Sequence, residues 1–133
     1  MQIDNNLLDA VSQAAQESER LRMNYNLHDS LDAKAQRLLN ALEPGTNLPI
    51  HCHRHTSETY ILLRGRIDVL FYSDNGEVFQ RFCLNPLSGK YGVHIPKGQW
   101  HTLEVLEKGT VIFEVKDGPY TPLDSTDILS GNQ

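Results

Sequence analysis

The sequence predicts a mainly β protein, a sandwich or barrel of short strands that follows one amphipathic helix. Strand-like segments alternate with glycine and proline turns at regular spacing, which is typical of antiparallel sandwiches and barrels. A chain of 133 residues can bury a hydrophobic core without metal or disulfide bonds to stabilise it. We therefore expect one barrel domain at 21–120, a helical extension packed on it at 1–20, and a C-terminal tail at 121–133 whose last residues, 130–133, are mobile.

The composition argues against nucleic-acid and membrane partners. The chain has 12 Lys and Arg against 17 Asp and Glu, so its net charge is −5 at pH 7, and it has no basic run. Nucleic-acid binding needs a clustered positive surface. No signal-peptide pattern and no apolar run near the ~20 residues of a bilayer span are present, which predicts a cytoplasmic protein. Its cysteines, Cys52 and Cys83, are expected to be reduced thiols.

The first third of the chain contains a helical period and then a strand-like period. Residues 5–19 carry apolar residues at helical spacing, which predicts an amphipathic helix. From residue 20 apolar and polar residues alternate, as in a strand with one polar face. That face either lines the barrel mouth or belongs to an exposed edge strand, and it carries Arg22, Asn24, Asn26 and His28. The pattern of residues 30–42 suits a helix and a buried strand equally.

The remaining strands are predicted from short apolar runs between turns. They are expected at 58–64, 67–72, 78–84, 93–95, 100–106 and 110–115. Asn75 and Gly76 tolerate the positive φ that both central positions of a type I′ turn need, so they predict a two-residue hairpin turn.

A group of histidines and one glutamate predicts a metal site. His51 and His53 are two residues apart, so on an extended segment both side chains lie on one face and Cys52 lies on the other. Glu58 begins the next strand, and His101 belongs to a later one. Three nitrogen ligands and one carboxylate suit one divalent ion of Zn, Fe, Ni, Mn or Cu, among which the sequence does not choose. The alternative is a hydrogen-bonded polar pocket without metal.

Two other histidines, His55 and His94, are expected to have roles other than that of a metal ligand. His55 leaves only two residues before Glu58, so it is expected to be a surface histidine or an outer neighbour of the ligands. His94 is either a packed, hydrogen-bonded histidine or an acid–base group.

The spacing Gly45-x5-His51-x-His53-x4-Glu58-x6-Gly65 reproduces the first sequence motif of the cupin superfamily in full. All three candidate ligands of this segment stand at the motif's ligand positions. The chain therefore resembles a cupin in the region that carries the metal site.

The second cupin motif is present in part. Pro96-x-Gly98-x2-His101 is intact, but Lys90 stands where the motif has Gly, and Val105 stands where it often has Asn. Neither difference removes a ligand. The resemblance implies a single cupin jelly-roll β-barrel, also called a double-stranded β-helix, in which the three histidines and the glutamate of the two motifs hold a divalent metal open to a ligand at the barrel mouth.

A closer resemblance covers nearly the whole chain. Residues 24–28, 36–46, 63–65 and 118–120 resemble the WbuC family of cupin-fold metalloproteins, RmlC-like proteins of bacteria that are often encoded among polysaccharide-biosynthesis genes. The reaction of that family is not established. The resemblance implies that residues 36–42 form the strand that leads into the first motif.

These observations favour a metal-dependent enzyme that acts on a small polar molecule, such as a sugar or sugar derivative, with isomerase- or epimerase-like chemistry ahead of dioxygenase-like chemistry. The alternatives are a non-catalytic module that binds a sugar or an anion, and a purely structural metal. His94 and His28 are the candidate catalytic groups. The candidate substrate-binding residues are Asn24, Asn26, His28, Arg37 and Tyr60. A homodimer is expected as one means of covering the sheet edges.

Overall fold

The computed structural model describes residues 1–129, so the segment expected to be mobile, 130–133, lies outside the described residues. Within these residues, one α-helix and eight strands follow one another. They are α1 (Asn5–Glu17), β1 (Arg22–Asn26), β2 (Ala35–Leu42), β3 (Glu58–Arg64), β4 (Ile67–Tyr72), β5 (Val78–Leu84), β6 (Gly92–Ile95), β7 (Trp100–Val105) and β8 (Thr110–Asp117). No helix within the described residues is both long and apolar enough to span a bilayer.

The strands form two antiparallel sheets that pack face to face. The order is β1-β2-β8-β3-β6 in the larger sheet and β5-β4-β7 in the smaller. Between them lies the main core, made of buried aliphatic and aromatic side chains from both sheets, among them Leu42, Leu62, Ile67, Val69, Phe71, Leu103 and Ile112. The prediction of a mainly β jelly roll with an N-terminal helix is confirmed.

Helix α1 packs on the outer face of the larger sheet. The side chain of Asp4 caps it by accepting a hydrogen bond from the Leu7 amide at 3.1 Å, which satisfies one of the free amides of the first turn. One side of the helix then buries Leu8, Val11 and Ala15 against Leu39, Ala41 and Val111. The part of the larger sheet that lies under α1, in β2 and β8, is therefore buried on both faces.

Burial on both faces explains why residues 30–42 were ambiguous. Strand β2 lies between β1 and β8. Leu39 and Ala41 pack under α1, while Leu42 points into the main core. A strand with two buried faces has a near-continuous apolar run in place of alternation. The strand that the family resemblance implied is confirmed.

The hairpin between β4 and β5 forms, but its predicted type I′ turn is wrong. Only Gly76 has positive φ, at 86°, whereas type I′ requires it at both central residues. The loop is longer: the Gly76 amide bonds to the Ser73 carbonyl at 2.9 Å, and the Ser73 amide bonds to the Glu77 carbonyl at 2.8 Å. The side chain of Asn75 accepts a hydrogen bond from the Glu77 amide at 3.2 Å, a contact that stabilises this wider loop.

Candidate metal centre

The inner face of the larger sheet changes from apolar to polar along its strands. Strand β8 is paired with β3 so that Ile112 lies opposite Leu62, and Glu114 lies opposite Tyr60. One step further along, Lys116 lies opposite Glu58. The apolar end closes the barrel, and the polar end forms its mouth.

The histidine segment reaches this mouth without forming a regular strand. His51 and His101 exchange two backbone hydrogen bonds, at 3.0 and 2.9 Å, which hold the segment extended beside β7. Extended backbone gives the predicted alternation: His51 and His53 face Glu58 and His101, and Cys52 is buried elsewhere. One ligand atom from each of the four residues lies within 4.8 Å of the others.

Glu58 is the centre of this group. Its Oε1 lies 2.8 Å from Nε2 of His101 and 3.4 Å from Nε2 of His53. It also accepts a hydrogen bond from the hydroxyl of Tyr60 at 3.1 Å. Both Glu58 and His101 are almost fully buried, at 2% and 1% exposure. A buried carboxylate is thus fixed in one orientation by three neighbours.

The hydrogen bonds of the imidazoles test whether these residues fit a metal ion. Nδ1 of His51 lies 2.9 Å from the Pro49 carbonyl, and Nδ1 of His101 lies 2.8 Å from the Gln99 carbonyl. A carbonyl only accepts, so each Nδ1 carries the proton and the neutral ring has a lone pair at Nε2. In His101 that lone pair faces the Glu58 carboxylate, and two acceptors at this distance require a proton or a cation between them. The donor set and its backbone supports fit a divalent metal.

The ionisation of the group favours cation binding. Burial alone would raise the pKa of Glu58, but its close side-chain contacts with His101 and then His53 outweigh burial and hold that pKa well below 4.5. Burial, followed by the nearby His101, lowers the pKa of His51 to about 4. At neutral pH the carboxylate is therefore ionised, and the His51 imidazole is neutral and able to donate its lone pair.

A cavity of about 210 Å³ opens onto the four residues. Two of the predicted substrate-binding residues, Asn24 and Tyr60, belong to its wall. Tyr60 is buried, and burial raises the pKa of its hydroxyl well above 10, so it remains a hydrogen-bond donor to Glu58.

The structure does not bring the other predicted site residues to this cavity. His28 is buried beside β2, where Nδ1 lies 3.0 Å from the carbonyl and 3.1 Å from the amide nitrogen of Arg37. Asn26 and Arg37 are exposed outside the cavity wall. His94 is exposed on β6, with Nδ1 3.0 Å from the Thr59 hydroxyl. The sequence could not show this, because alternation does not reveal where along a strand the mouth lies.

The chain resembles known proteins in its sequence family and in its fold. Residues 3–84 match the model of DUF6016, a domain of unknown function. The chain belongs to the DUF6016 family. The matched region contains His51, His53 and Glu58 and ends before His101. No curated protein sequence matches the chain.

Solved structures show that this DUF6016 protein has the cupin fold. CapF from Staphylococcus aureus, described as a capsular polysaccharide assembling protein, is 18% identical with a TM-score of 0.63 over 84% of this chain and 29% of CapF. KdgF from Halomonas sp. is 17% identical, with a TM-score of 0.56 over 75% of this chain and 80% of KdgF. A cupin-2 domain protein from Shewanella frigidimarina is 20% identical, with a TM-score of 0.55 over 71% of this chain and 79% of that protein. The chain thus spans less than a third of CapF, and the fold-level prediction of a cupin is confirmed.

Glu114, which was not among the residues predicted from the sequence, lines the same cavity. Its side chain is buried, and Oε1 accepts a hydrogen bond from Nδ2 of Asn40 at 2.8 Å. Burial, followed by the charge of Glu58, raises the pKa of Glu114 from 4.5 to about 7. A glutamate inside the otherwise apolar run of β8 was the signal available in the sequence.

The residues that follow β8 form a strap beside the mouth, which we define as residues 118–129. Its backbone bonds to the histidine segment: the Cys52 amide to the Asp127 carbonyl at 3.0 Å, and the Leu129 amide to the Ile50 carbonyl at 2.8 Å. Nε of Arg54 also lies 3.0 Å from the carboxylate of Asp127. The strap therefore supports the loop from which two candidate ligands project.

The strap and the histidine segment enclose a second cavity of about 200 Å³. His55 is exposed and lines this second cavity, outside the group of four. Cys52 also lines it; burial raises the pKa of its thiol, and no disulfide forms with the exposed Cys83.

Proposed function

We propose that this protein is a metal-dependent enzyme that acts on a small polar molecule in the mouth of a cupin barrel. The observation that carries the proposal is the convergence of four ligand atoms, within 4.8 Å of one another, at the end of a cavity of about 210 Å³. In this proposal one divalent ion is held by His51, His53, Glu58 and His101. A buried carboxylate facing two imidazoles beside an open cavity is arranged for a ligand that completes the coordination.

The chain's own residues have distinct tasks in this mechanism. When bound, a divalent ion supplies Lewis-acid polarisation of a substrate carbonyl or hydroxyl oxygen. The Pro49 and Gln99 carbonyls keep His51 and His101 in one tautomer, and Tyr60 orients Glu58.

Glu114 is the residue suited to move a proton in this cavity. With a pKa of about 7 it takes up or releases a proton at neutral pH, as a general acid or base must. Its contact with Asn40 holds it in place on the wall. A proton-transfer group beside a polarised oxygen supports isomerase- or epimerase-like chemistry ahead of dioxygenase-like chemistry.

The proposed substrate is a sugar or sugar derivative in polysaccharide biosynthesis. The resemblance to the WbuC family supports this context, as does the likeness in fold to CapF, which is itself described as a capsular polysaccharide assembling protein. The polar wall of the cavity, with amide and hydroxyl groups from Asn24, Asn40 and Tyr60, is suited to hydroxylated molecules.

Metal binding is tested first. Untagged protein stripped with EDTA is reloaded separately with Zn²⁺, Fe²⁺, Ni²⁺, Mn²⁺ and Cu²⁺, and bound metal is measured by elemental analysis. We expect one ion per chain, lost in His53→Ala and His101→Ala and retained in His55→Ala, which removes an imidazole from outside the group. A chain that binds no metal, or binds it equally in all three variants, would overturn the proposal.

Turnover is tested second, with each loaded protein and a panel of aldoses, ketoses, uronates and nucleotide sugars. Product that depends on bound metal and is lost with His53→Ala supports the enzyme. Oxygen consumption restricted to the iron-loaded form would instead identify the dioxygenase alternative. Saturable, metal-dependent ligand binding without product would identify the alternative of a non-catalytic sugar- or anion-binding module.

A further inference from the structure

The wall of the barrel-mouth cavity carries a charge opposite in sign to that of the whole protein. Three cationic side chains line it: Arg20, Arg22 and Lys116. Two carboxylates, Glu58 and Glu114, also line it, but Glu58 faces the histidines and Glu114 has a pKa of about 7. The chain as a whole has a net charge of −5 at pH 7. A local excess of positive charge in an acidic protein attracts anions to this cavity.

The cations of the wall have no carboxylate partner within the part of the chain that the structure describes. Four other arginines do pair with carboxylates, at 2.7 to 3.8 Å, and they are Arg54, Arg64, Arg66 and Arg81. No ion pair within 4.0 Å involves Arg20, Arg22 or Lys116 among residues 1–129. Their charges are therefore available to a ligand.

Arg22 is held in position for such a role. It lies on β1, and its Nη1 donates to the Asn47 carbonyl at 2.9 Å, which anchors one end of the guanidinium and leaves its other donors free. Its side chain is half-buried, and burial followed by the nearby Arg20 lowers the pKa of Arg22. A guanidinium beside another cation and partly withdrawn from water is stabilised when an anion binds.

Lys116 reaches the cavity from β8. It lies directly opposite Glu58 in the strand pairing, where an ion pair would ordinarily form across the sheet. No such pair exists, because the Glu58 carboxylate is turned toward His101 and Tyr60. The ammonium of Lys116 therefore lies beside the candidate metal ligands and forms no ion pair with Glu58.

We propose that the molecule bound in the barrel mouth is a small anion, a carboxylate- or phosphate-bearing sugar, whose negative charge is recognised by Arg22 and Lys116. This inference rests on the proposed function, since it names the class of molecule that the same cavity takes. The polar amides of the wall contact the hydroxyl groups, while the two cations select for the charge.

The test compares three probes of similar size, which are glucuronate, glucose 6-phosphate and neutral glucose. Binding to metal-loaded protein is measured by calorimetry at low and high NaCl. At least one anionic probe should bind about tenfold or more tighter than glucose, with an affinity that falls as salt rises. The better anion identifies the carboxylate or the phosphate as the preferred group. Equal binding of all three probes, or no preference for either anion, overturns the inference.

Two double variants with the same change of net charge locate the effect. Arg22→Gln with Lys116→Gln removes the two cations of the wall, and the preference for the anion should fall about tenfold. Lys34→Gln with Lys90→Gln removes two exposed cations elsewhere and should leave the preference unchanged. Equal losses in both variants would overturn the inference, because the field of the whole protein would then explain the preference. Circular dichroism verifies that both variants fold.

Failure of the proposed function can be distinguished from failure of this inference. Bound metal is measured in the same samples, and the probe titrations are repeated with His53→Ala. Anion preference that persists without metal and depends on Arg22 and Lys116 supports the anion site even if the metal proposal fails. One bound metal ion without anion preference supports the metal proposal and overturns the anion inference.

Discussion

The side chain of Asn40 donates a hydrogen bond to the buried carboxylate of Glu114 at 2.8 Å. No cation lies within 4.0 Å of that carboxylate among the described residues. An amide stabilises an ionised carboxylate less than a cation does, so burial dominates and raises the pKa of Glu114 to about 7. Because this pKa is above the ordinary value of 4.5, Glu114 contributes stability below pH 4.5 that is lost as pH rises through about 7.

The first prediction follows from the raised pKa of Glu114, which makes the protein less stable as the pH rises. In EDTA-treated protein, Glu114→Gln should raise the free energy of unfolding at pH 8 by up to about 3 kcal/mol and change it little at pH 5, because glutamine keeps the Asn40 contact without a charge. Urea denaturation at the two pH values measures the difference. Glu77→Gln, at an exposed position in the β4–β5 loop, is the control and should show no such pH dependence. If Glu114→Gln changes the free energy of unfolding equally at both pH values, the pKa of Glu114 is not raised by burial.

The second prediction concerns the support of Glu58. Tyr60→Phe keeps the buried ring and removes only the hydroxyl that bonds to Glu58 at 3.1 Å. Loss of such a support should weaken metal binding by about 10- to 100-fold, measured by competition with a chelating dye. Tyr25→Phe, on the exposed part of β1, is the matched control. Unchanged metal affinity in Tyr60→Phe would show that Glu58 is not a ligand oriented by this contact.

The third prediction compares two glycines. Gly65 has φ of +93°, and a Cβ at this position would lie 2.1 Å from Oγ1 and 2.7 Å from Cα of Thr110. Gly65→Ala should therefore destabilise the protein by more than about 3 kcal/mol. Gly89 has φ of +75° but open space around it, so Gly89→Ala should cost only about 1 kcal/mol from backbone strain. If the two variants lose similar amounts of unfolding free energy in urea denaturation, the close contact with Thr110 is not the reason that position 65 needs a glycine.

The fourth prediction concerns the strap. A chain that ends at residue 123 lacks the backbone bonds from Asp127 to Cys52 and from Leu129 to Ile50, so the histidine segment loses its outer support. Metal affinity should fall at least tenfold, by the same competition assay. A chain that ends at residue 129 keeps these contacts and is the control. If the two chains bind metal equally, the β7 pairing alone holds the segment.

The clustering of the four candidate ligands could be predicted because their signal is local. His51 and His53 are two residues apart on extended backbone, and the motif spacing identifies Glu58 and His101. Glu114 and Lys116 carry no comparable signal, since β8 is covered by α1 on one face and by the smaller sheet on the other. Its sequence therefore lacks the alternation that would separate inward from outward positions. The turn type of the β4–β5 hairpin could not be predicted from the sequence either, because the side-chain contacts within its loop outweigh the preference of Asn-Gly for a type I′ turn.

The strap has a consequence for how the protein is made. The loop that carries His51 and His53 has its backbone partners at Asp127 and Leu129, which follow it in the sequence by most of the barrel strands. During synthesis on the ribosome those partners emerge long after the histidines, and His101 also emerges late. The four clustered residues and the backbone contacts that support them therefore come together only after residue 129 has been synthesised. Under the proposed function, metal acquisition is therefore a step that follows synthesis of the strap, and a shortage of metal at that moment would leave a folded but unloaded protein.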